Sequence, residues 1–342
     1  MKRVLVGLSG GVDSARTASL LLEQGYEVIG CYLALCKTAS PEGAERVARE
    51  LGIPLVTVRA KGAFRSKVIL PFLQAWKRGE TPNPCVECNA DMKFARLLKK
   101  ADELGCELVA TGHYAAVKKR ENGRYALLCG KDAKKDQSYF LWKLSQRQLS
   151  RILFPLAEEE KSRVLSDTKS LVPQEQKESM EICFVPHGDT ARFVEEEGFG
   201  APAGDFTDEA GCVLGRHKGI HRYTVGQRRG LGIALGERAF VVRIDPAENR
   251  VVIGKEEALR TKELFVRSLR FVSASRRELS NGQYLFRGRH GGALIPCRVF
   301  FEKGGARLLF SKEIRRFAPG QSACFYRDNA LLFGGIIAEK TE

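Results

Sequence analysis

Residues 4–14, VLVGLSGGVDS, decide the fold of this chain. The apolar run 4–8 predicts a buried parallel strand, and residues 15–24 predict a helix that stops at Gly25. The loop between them carries two glycines and two hydroxyl side chains. Its backbone N–H groups and the positive end of the helix dipole would point at one place. The stretch therefore predicts an anion-binding loop, the alternative being an ordinary glycine-rich turn.

The loop lacks the lysine of a Walker-type loop and resembles the PP-loop of the ATP pyrophosphatases. Those enzymes bind the pyrophosphate of ATP and leave AMP on a substrate oxygen. The resemblance implies that ATP, with Mg²⁺, binds along this segment. The residues it assigns to ATP binding are Gly7, Leu8, Ser9, Gly10, Gly11, Val12, Asp13 and Ser14.

Strand and helix patterns alternate over the first 120 residues, which predicts an α/β fold with a doubly wound parallel sheet. The predicted strands are 3–8, 27–33, 54–59 and 107–111, and the predicted helices are 14–24, 41–51, 64–77 and 92–104. The ligand crevice of such a sheet lies outside the carboxyl ends of its strands. The Ser9 loop falls at that edge.

The pattern changes twice further along the chain. Residues 136–198 are predicted to be mostly helical, and short β-branched and aromatic runs follow Gly200. These runs are 240–244, 250–253, 264–272, 293–301, 306–310, 323–326 and 331–337. We therefore predict a PP-loop catalytic domain with a helical extension over 1–199, a small β-rich domain over 200–262 and a C-terminal β-barrel over 263–342.

Charge favours a polyanionic partner. The chain has a net charge of +15, and a count over Gly200–Glu342 gives 25 basic and 15 acidic residues, with 19 Arg among the basic ones. Arginine binds phosphate in a bidentate manner and stacks on bases, so an Arg-rich β region is typical of RNA binding. The alternative is a basic surface that serves only solubility.

Composition also limits the compartment. No apolar run approaches the ~20 residues of a membrane span and no signal peptide precedes the first strand, so we expect a cytoplasmic protein without membrane association. Ten cysteines are many for a reducing compartment. They are therefore expected to be catalytic thiols, metal ligands or core residues rather than structural disulfides.

The segment Thr81-Pro82-Asn83-Pro84-Cys85-Val86-Glu87-Cys88-Asn89 combines two prolines with a Cys-x-x-Cys spacing. The prolines predict an extended loop that leads into a helix beginning around Ala90. Cys88 would then lie where a helix dipole lowers the pKa of a thiol. The spacing alone is also consistent with a redox pair, a cluster ligand or half of a zinc site, but the sequence offers no second pair to complete a zinc site.

Four further segments carry candidate chemistry. Gly112 and His113 follow a predicted strand at the edge of the Ser9 loop, while Lys135-Asp136-Gln137 precede an apolar helix start that Asp136 could simply cap. Cys183 lies between acidic and apolar residues, where a buried inert thiol is the common alternative. Residues 221–233 interleave an aromatic residue, arginines and glycines, which suits an RNA-contacting loop.

Taken in this order along nearly the whole chain, up to the block Pro319-Gly320-Gln321-Ser322-Ala323, these segments resemble the bacterial tRNA-specific 2-thiouridylase family. Such enzymes place sulfur at C2 of the wobble uridine of tRNAs for Lys, Glu and Gln. ATP adenylates the C2 oxygen, because a uracil carbonyl oxygen is a poor leaving group, and a sulfur nucleophile displaces AMP. A cysteine desulfurase or a sulfur-relay protein supplies the sulfur.

The resemblance also assigns roles to residues. Cys183 matches the persulfide carrier, and Cys88 matches the thiol that releases the sulfur and leaves a Cys88–Cys183 disulfide bond. Leu33 and Gly112 line the adenosine site, and Asn83, Pro84 and Cys85 face the target base. The residues expected to contact tRNA are His113, Lys135, Asp136, Gln137, Arg228, Arg229, Arg289, His290 and Gln321.

Two questions stay open at this level. Cys85 stands where some relatives carry Asp, so Cys85, Cys88 and Cys183 could instead hold a 4Fe–4S cluster with one open iron that delivers sulfide. The function also has two rivals. One is a PP-loop ligase that forms an amide, which would not need Cys183, and the other is a non-catalytic RNA-binding protein, which would release no pyrophosphate.

Overall fold

The protein is described here from a computed structural model that covers residues 2–36, 40–173, 182–233 and 238–339. A parallel sheet forms the centre of its first part, as predicted. Its strands are β1 Arg3–Gly7, β2 Glu27–Ala34, β3 Leu55–Arg59, β4 Leu108–Ala110 and β7 Ile152–Leu153. The strands lie in the order β3-β2-β1-β4-β7, and all of them are parallel. From β1 the chain builds the sheet outward to one side as far as β3, and β4 then begins the other side. The crevice at this reversal is where such sheets bind ligands.

Helices connect the parallel strands and cover the sheet. Val4, Leu5 and Val6 of β1 are all fully buried, as expected for a strand with both faces covered. The early helices span Val12–Glu23 and Glu42–Glu50, and a third runs through Lys61–Phe64, a π-helical turn Arg65–Ile69, and Leu70–Lys77. These three agree with the predicted helices to within a few residues.

The prediction for the helix after the two prolines was wrong at its start. Helical backbone begins at Pro84 and continues through Pro84–Glu87, a π-helical turn Cys88–Lys93, and Phe94–Glu103. Proline is favoured in the first helical turn because its missing N–H has no partner there anyway. The second proline therefore starts the helix, and Cys88 lies one turn inside it.

The helical extension is more broken than predicted. Within the described part of 136–198, helical residues fall into short segments with irregular backbone between them. They are Ser138–Leu141, Gln146–Leu149, Pro155–Glu158, Lys161–Asp167, Pro186–Gly188 and Thr190–Glu196. Pro155, Pro173 and Pro186 interrupt any longer helix because proline removes a donor and clashes with the preceding turn.

The second part is a four-stranded sheet, which confirms a β-rich region after Gly200. Its strands are β8 Gly204–Thr207, β9 Val213–His217, β10 Phe240–Asp245 and β11 Arg250–Gly254, in the order β10-β11-β8-β9. The sequence analysis found β10 and β11 but not β8 and β9. These two are short and polar, so they carry little of the apolar alternation that predicts a strand.

The third part is the predicted barrel. Its strands are β12 Arg260–Phe271, β13 Gly282–Arg287, β14 Ile295–Glu302, β15 Gly305–Arg315, β16 Ser322–Arg327 and β17 Ala330–Ala338. The order β12-β15-β14-β13-β16-β17 closes through pairing of β12 with β17. Short 3₁₀ helices at Ile220–Arg222, Glu256–Leu259 and Arg276–Glu278 lie outside the strands of these two parts.

A hairpin of the first part extends the barrel sheet. Its strands are β5 Ala115–Lys119 and β6 Tyr125–Cys129, and β6 pairs with the start of β17. The sequence analysis missed this hairpin, although Asn122-Gly123 between the strands is a turn signal. The first part and the barrel thus share one sheet. The predicted limits 1–199, 200–262 and 263–342 stay a prediction, and in the described ranges no helix has the length and apolarity needed to cross a bilayer.

Candidate active site

The Ser9 loop forms a compact turn between β1 and the helix Val12–Glu23. The Ser14 hydroxyl donates to the Gly11 carbonyl oxygen at 2.8 Å and lies 3.2 Å from the Ser9 hydroxyl. No side chain of the described residues caps this helix at Gly11, so its first-turn N–H groups face the crevice without a competing cap. Such an N-terminus favours a bound phosphate.

Gly10 is required by the shape of this turn. Its φ is +86°, and a Cβ there would lie 2.4 Å from the carbonyl carbon of Gly43. Neither the backbone conformation nor the space admits a side chain. The loop therefore packs directly on the start of the helix Glu42–Glu50.

Asp13 is held by two side chains from outside the loop. The Tyr114 hydroxyl donates to Asp13 Oδ1 at 2.9 Å, and Lys161 Nζ donates to the same oxygen at 2.7 Å. Lys161 is only 8% exposed, so its charge faces the carboxylate rather than bulk water. The sequence analysis missed Lys161, since a lysine 148 residues away gives no local signal.

The strand β4 brings Gly112 to the same place. A Cβ on Gly112 would lie 2.8 Å from the backbone of Asp13, so only glycine permits this approach. His113 hydrogen-bonds Thr111 through Nδ1 at 2.8 Å and packs against the rings of Phe94 and Phe154. Burial, followed by the Lys93 charge, lowers the pKa of His113 well below its usual value. Leu33, near the carboxyl end of β2, completes the same edge of the sheet.

All three parts of the molecule hold the segment before Pro84. Thr81 donates its N–H to the carbonyl oxygen of Pro319, and Gln321 donates to the carbonyl oxygen of Thr81, both at 2.7 Å. The Thr81 hydroxyl also donates to that of Thr224 at 3.1 Å. The block around Pro319 thus fixes the thiol-bearing segment in position, a role its sequence did not indicate.

A cavity of about 210 Å³ lies beside this segment. Asn83 and Pro84 line it, together with Trp142 and Arg267, while Cys85 does not. Two of the three residues predicted to face the target base therefore border this cavity. The third, Cys85, is exposed.

Cys183 is presented by an anchored turn. Val185 donates its N–H to the Ile182 carbonyl oxygen at 2.9 Å, which closes a turn over 182–185. The Phe184 ring packs edge-on against Phe64 and Phe72, with centroids 5.6 and 5.3 Å away. Burial of Phe184 leaves its neighbour Cys183 exposed at the surface of this aromatic cluster.

The fold brings the thiols together across 95 residues of sequence. Cys88 packs against the same aromatic cluster, and the Cys88 and Cys85 sulfurs lie close enough to Cys183 for their charges to affect its pKa. Cys88 therefore lies at the aromatic cluster that includes Phe184, the neighbour of Cys183, and the catalytic role of the two thiols stays a prediction.

The expected activation of Cys88 was wrong. Burial raises the pKa of the Cys88 thiol, and the Lys93 ammonium offsets this only in part. The pKa of the Cys85 thiol is also raised, because the surrounding protein desolvates its sulfur although part of the residue is exposed, and the Lys93 charge again offsets this in part. The physical reason is position: Cys88 lies inside the helix and against apolar side chains, away from the N-terminal end of the dipole.

A fourth thiol, Cys36, belongs to this group and was missed. It follows β2 by two residues, and its Sγ lies 3.9 Å from the Cys183 carbonyl oxygen. A hydrogen bond between the Cys36 and Cys183 side chains raises the pKa of Cys183, ahead of burial and of the Cys88 charge. The clue was available, since Cys36 comes soon after the carboxyl end of β2, the end of the sheet that faces the crevice.

The thiols are not arranged as a metal site. In the described part of the chain, no group of three or more His, Cys, Asp or Glu side chains is disposed to hold a metal ion. The alternative of a 4Fe–4S cluster on Cys85, Cys88 and Cys183 has no support from this arrangement and stays a prediction.

Three of the residues expected to contact tRNA are engaged inside the protein. Asp136 is 4% exposed and accepts hydrogen bonds from Ser138 and from Arg287 of the barrel. The Gln137 side chain accepts the Tyr114 N–H, and Gln321 donates to Thr81 as described. These contacts assign the three a structural role, and tRNA contact by them stays a prediction.

Four other residues expected to contact tRNA lie at the surface. Arg228 and Arg229 are exposed on a loop tied down by the Gly226 N–H, which donates to Val241 at 2.7 Å. Arg289 and His290 are exposed, and the His290 ring lies 4.5 Å from that of Phe140. Desolvation of the ring, which packs against Tyr139 and Phe140 although the residue is exposed, lowers the pKa of His290.

Comparison with known proteins decides the family. The family model of the tRNA methyl transferase HUP domain matches residues 2–187, that of the tRNA methyl transferase PRC-barrel domain 191–255, and that of the aminomethyltransferase beta-barrel domain 261–337. The chain is 43% identical to the tRNA-specific 2-thiouridylase MnmA of Geobacter metallireducens, over 98% of this chain and 96% of that one. The chain belongs to the MnmA family of tRNA-specific 2-thiouridylases.

Other members agree over the same length. The MnmA of Halothermothrix orenii is 41% identical and that of Clostridium botulinum strain Eklund 17B 39%, each over at least 98% of both chains. The resemblance inferred from the motifs and the three-part fold are thereby confirmed. The assignment of individual residues in this MnmA-family chain rests on the geometry above.

Proposed function

We propose that this protein is an ATP-dependent sulfurtransferase that forms 2-thiouridine at the wobble position of tRNAs for Lys, Glu and Gln. One observation carries the proposal: a phosphate-binding loop and a group of thiols lie at the same edge of one parallel sheet. The family named after this reaction supplies the substrate class. We place the reaction in the cytoplasm.

The first step activates the base. The uridine O2 attacks the α-phosphorus of ATP, pyrophosphate leaves, and AMP becomes the leaving group on C2. The hydroxyls of Ser9 and Ser14 and the free N–H groups of the helix would bind the departing phosphates. The Asp13 carboxylate is a hard oxygen ligand suited to Mg²⁺, which supplies charge neutralisation for the triphosphate. Leu33 and Gly112 would line the adenosine.

The second step delivers sulfur. Cys183 receives a sulfane sulfur as a persulfide from a cysteine desulfurase or a sulfur-relay protein. The Cys88 thiolate attacks the Cys183 Sγ, forms a Cys88–Cys183 disulfide and releases hydrosulfide. Hydrosulfide attacks C2, AMP departs, and an external dithiol reduces the disulfide. Raised thiol pKa values keep Cys88 protonated at neutral pH, so we expect the step to quicken with pH.

The RNA must present an extruded base. A stacked wobble uridine cannot reach the crevice, so the base is flipped into it. The exposed Arg228 and Arg229 would bind the phosphate backbone, and the Phe140–His290 pair offers a stacking surface. His113, Lys135 and Arg289 are further proposed contacts with the tRNA.

The decisive test is Cys183→Ala. Incubated with ATP, Mg²⁺, unmodified tRNA, cysteine and a cysteine desulfurase, the wild-type enzyme should yield 2-thiouridine in digested tRNA, measured by mass spectrometry. The variant should yield none, because its sulfur carrier is gone, while it still binds ATP and releases pyrophosphate. Cys212→Ala, at an exposed thiol of the second part, is the matched control and should keep full activity.

Other outcomes discriminate the rivals. Thiolation by Cys183→Ala at the wild-type rate would refute the persulfide route, and iron and acid-labile sulfide in the anaerobic protein that rise and fall with activity would assign delivery to a cluster. An amide-forming ligase would not depend on Cys183 at all. A non-catalytic RNA-binding protein would release no pyrophosphate from ATP with tRNA present.

A further inference from the structure

The thiol Cys36 has no role in the steps above, yet it touches the proposed sulfur carrier. Its Sγ lies 3.9 Å from the Cys183 carbonyl oxygen, and the two side chains share a hydrogen bond. Cys36 and Cys88 also pack against one apolar cluster, which includes Phe184 next to Cys183. Cys183 therefore has thiols on two separate elements within its surroundings.

We propose that Cys36 is a second resolving thiol for the persulfide on Cys183. Its thiolate attacks the Cys183 Sγ, a Cys36–Cys183 disulfide forms, and the terminal sulfur leaves as hydrosulfide. The sulfane sulfur gains the two electrons that the two cysteines lose, and the external dithiol then reduces the disulfide. The inference rests on the proposed function in one respect, the persulfide on Cys183.

The backbone at both ends favours this pair. Cys36 lies beyond the end of β2, and Cys183 lies in the turn 182–185, so neither residue is inside a helix or strand. A disulfide needs its two Cα atoms about 4.4–6.8 Å apart. Such an approach disturbs no helical hydrogen bonds at Cys36 or Cys183. Cys88, in contrast, lies within the helical run that starts at Pro84.

A purely packing role for Cys36 makes a different prediction. In that role, the small side chain of Cys36 would only pack against the apolar cluster around Phe184. It would not change how sulfide leaves Cys183. Serine retains the size of cysteine and removes its redox chemistry. The comparison of Cys36→Ser, Cys88→Ser and the double variant therefore separates the two roles.

The experiment follows one turnover on the full chain. Each protein is loaded with sulfane sulfur by a cysteine desulfurase and cysteine, freed from the donor, and assayed for released sulfide and for disulfide-linked peptides. Wild type should give both Cys36–Cys183 and Cys88–Cys183 peptides. Cys88→Ser should still release sulfide, at least tenfold faster than the double variant, and should give only the Cys36–Cys183 peptide.

Two results would overturn the proposal: equal sulfide release from Cys88→Ser and the double variant, or no Cys36–Cys183 peptide in any protein. Circular dichroism and ATP binding check that Cys36→Ser folds, with Cys212→Ser as control. If the desulfurase places no persulfide on Cys183, the proposed function fails instead. A polysulfide salt can then load Cys183 chemically, and the Cys36 test proceeds unchanged.

Discussion

At the scale of single residues, Asp13 shows how the site is prepared for a triphosphate. Its Oδ1 oxygen accepts hydrogen bonds from Tyr114 and Lys161, so the carboxylate is fixed and its charge is balanced before ATP arrives. The phosphate loop would otherwise present an uncompensated negative charge to a polyanion. Lys161 thus links a short helix of the extension to the Ser9 loop, from which the fold was predicted.

Replacing Lys161 with Met should weaken ATP binding. The Asp13 carboxylate would lose its positive partner and repel the triphosphate, so we expect a Kd for ATP at least tenfold higher, about 1.4 kcal/mol. Isothermal titration calorimetry measures this directly. Lys100→Met, which removes a surface pair with Glu103, should leave the Kd unchanged. Equal affinities for Lys161→Met and wild type would show that Asp13 needs no partner.

At the scale of elements, the sequence predicted best where pattern and environment agree. The sequences of strands β1–β4 and of the helix Val12–Glu23 are apolar enough to indicate the type of element, and these elements lie where predicted. The strands β5, β6, β8 and β9 have at most five residues each, and β6 and β8 also pair with strands far along the chain, β17 and β11. Their pairing, and not their own composition, makes them strands.

Substituting Gly10 with Ala tests the shape of the phosphate loop. An added Cβ would meet Gly43 at 2.4 Å, so the loop must move away from the helix Glu42–Glu50 and its N–H groups must turn from the phosphates. We expect ATP binding to fall at least a hundredfold, measured by calorimetry.

Gly123→Ala is the matched control for this change. Gly123 also has a positive φ, +78°, but a Cβ there meets nothing within 4 Å. It should cost about 1–2 kcal/mol of stability and leave ATP affinity intact. If both variants bind ATP equally, close packing against Gly43 is not what shapes the loop.

At the scale of the whole molecule, the first part and the barrel are joined by polar contacts as well as by a shared sheet. Asp136 and Arg287 form an ion pair of 2.6 Å between them, with side chains 3% and 13% exposed. Ser138 adds two hydrogen bonds to the same carboxylate. A separate contact between the two parts is the hydrogen bond that Gln321 of the barrel donates to the carbonyl oxygen of Thr81.

Replacing Asp136 with Ala should destabilise the protein strongly. The change leaves the Arg287 charge buried without its partner, which costs about 3–5 kcal/mol. Urea unfolding followed by tryptophan fluorescence measures the loss. Glu196→Ala, which breaks an exposed pair with Arg192, should cost less than about 1 kcal/mol. A similar small loss for both variants would mean that the shared sheet alone joins the parts.

The exposed arginines of the second part should set the salt dependence of tRNA binding. Replacing Arg228 and Arg229 together with Gln removes two phosphate contacts, so the slope of log K against log salt should fall by roughly 1–2. Fluorescence anisotropy with labelled tRNA at several salt concentrations gives the slope. Arg216→Gln with Arg250→Gln removes the same charge from arginines already paired with Asp205 and Glu248. An equal change of this slope in both double variants would mean that net charge alone sets the salt dependence.

The sequence by itself determined the glycine-rich Ser9 loop, the parallel sheet and the barrel. Each of these is written in neighbouring residues or in a repeating apolar pattern, so no distant contact is needed to read it. The pairing of Cys88 with Cys183 is what the family resemblance implies, and it stays a prediction. Only the tertiary structure decided that Lys161 balances Asp13, that Cys36 contacts Cys183, and that Asp136 and Gln321 join domains. Such contacts connect residues tens to hundreds of positions apart, and burial in the folded chain, which raises the thiol pKa at Cys88, has no local signature in the sequence.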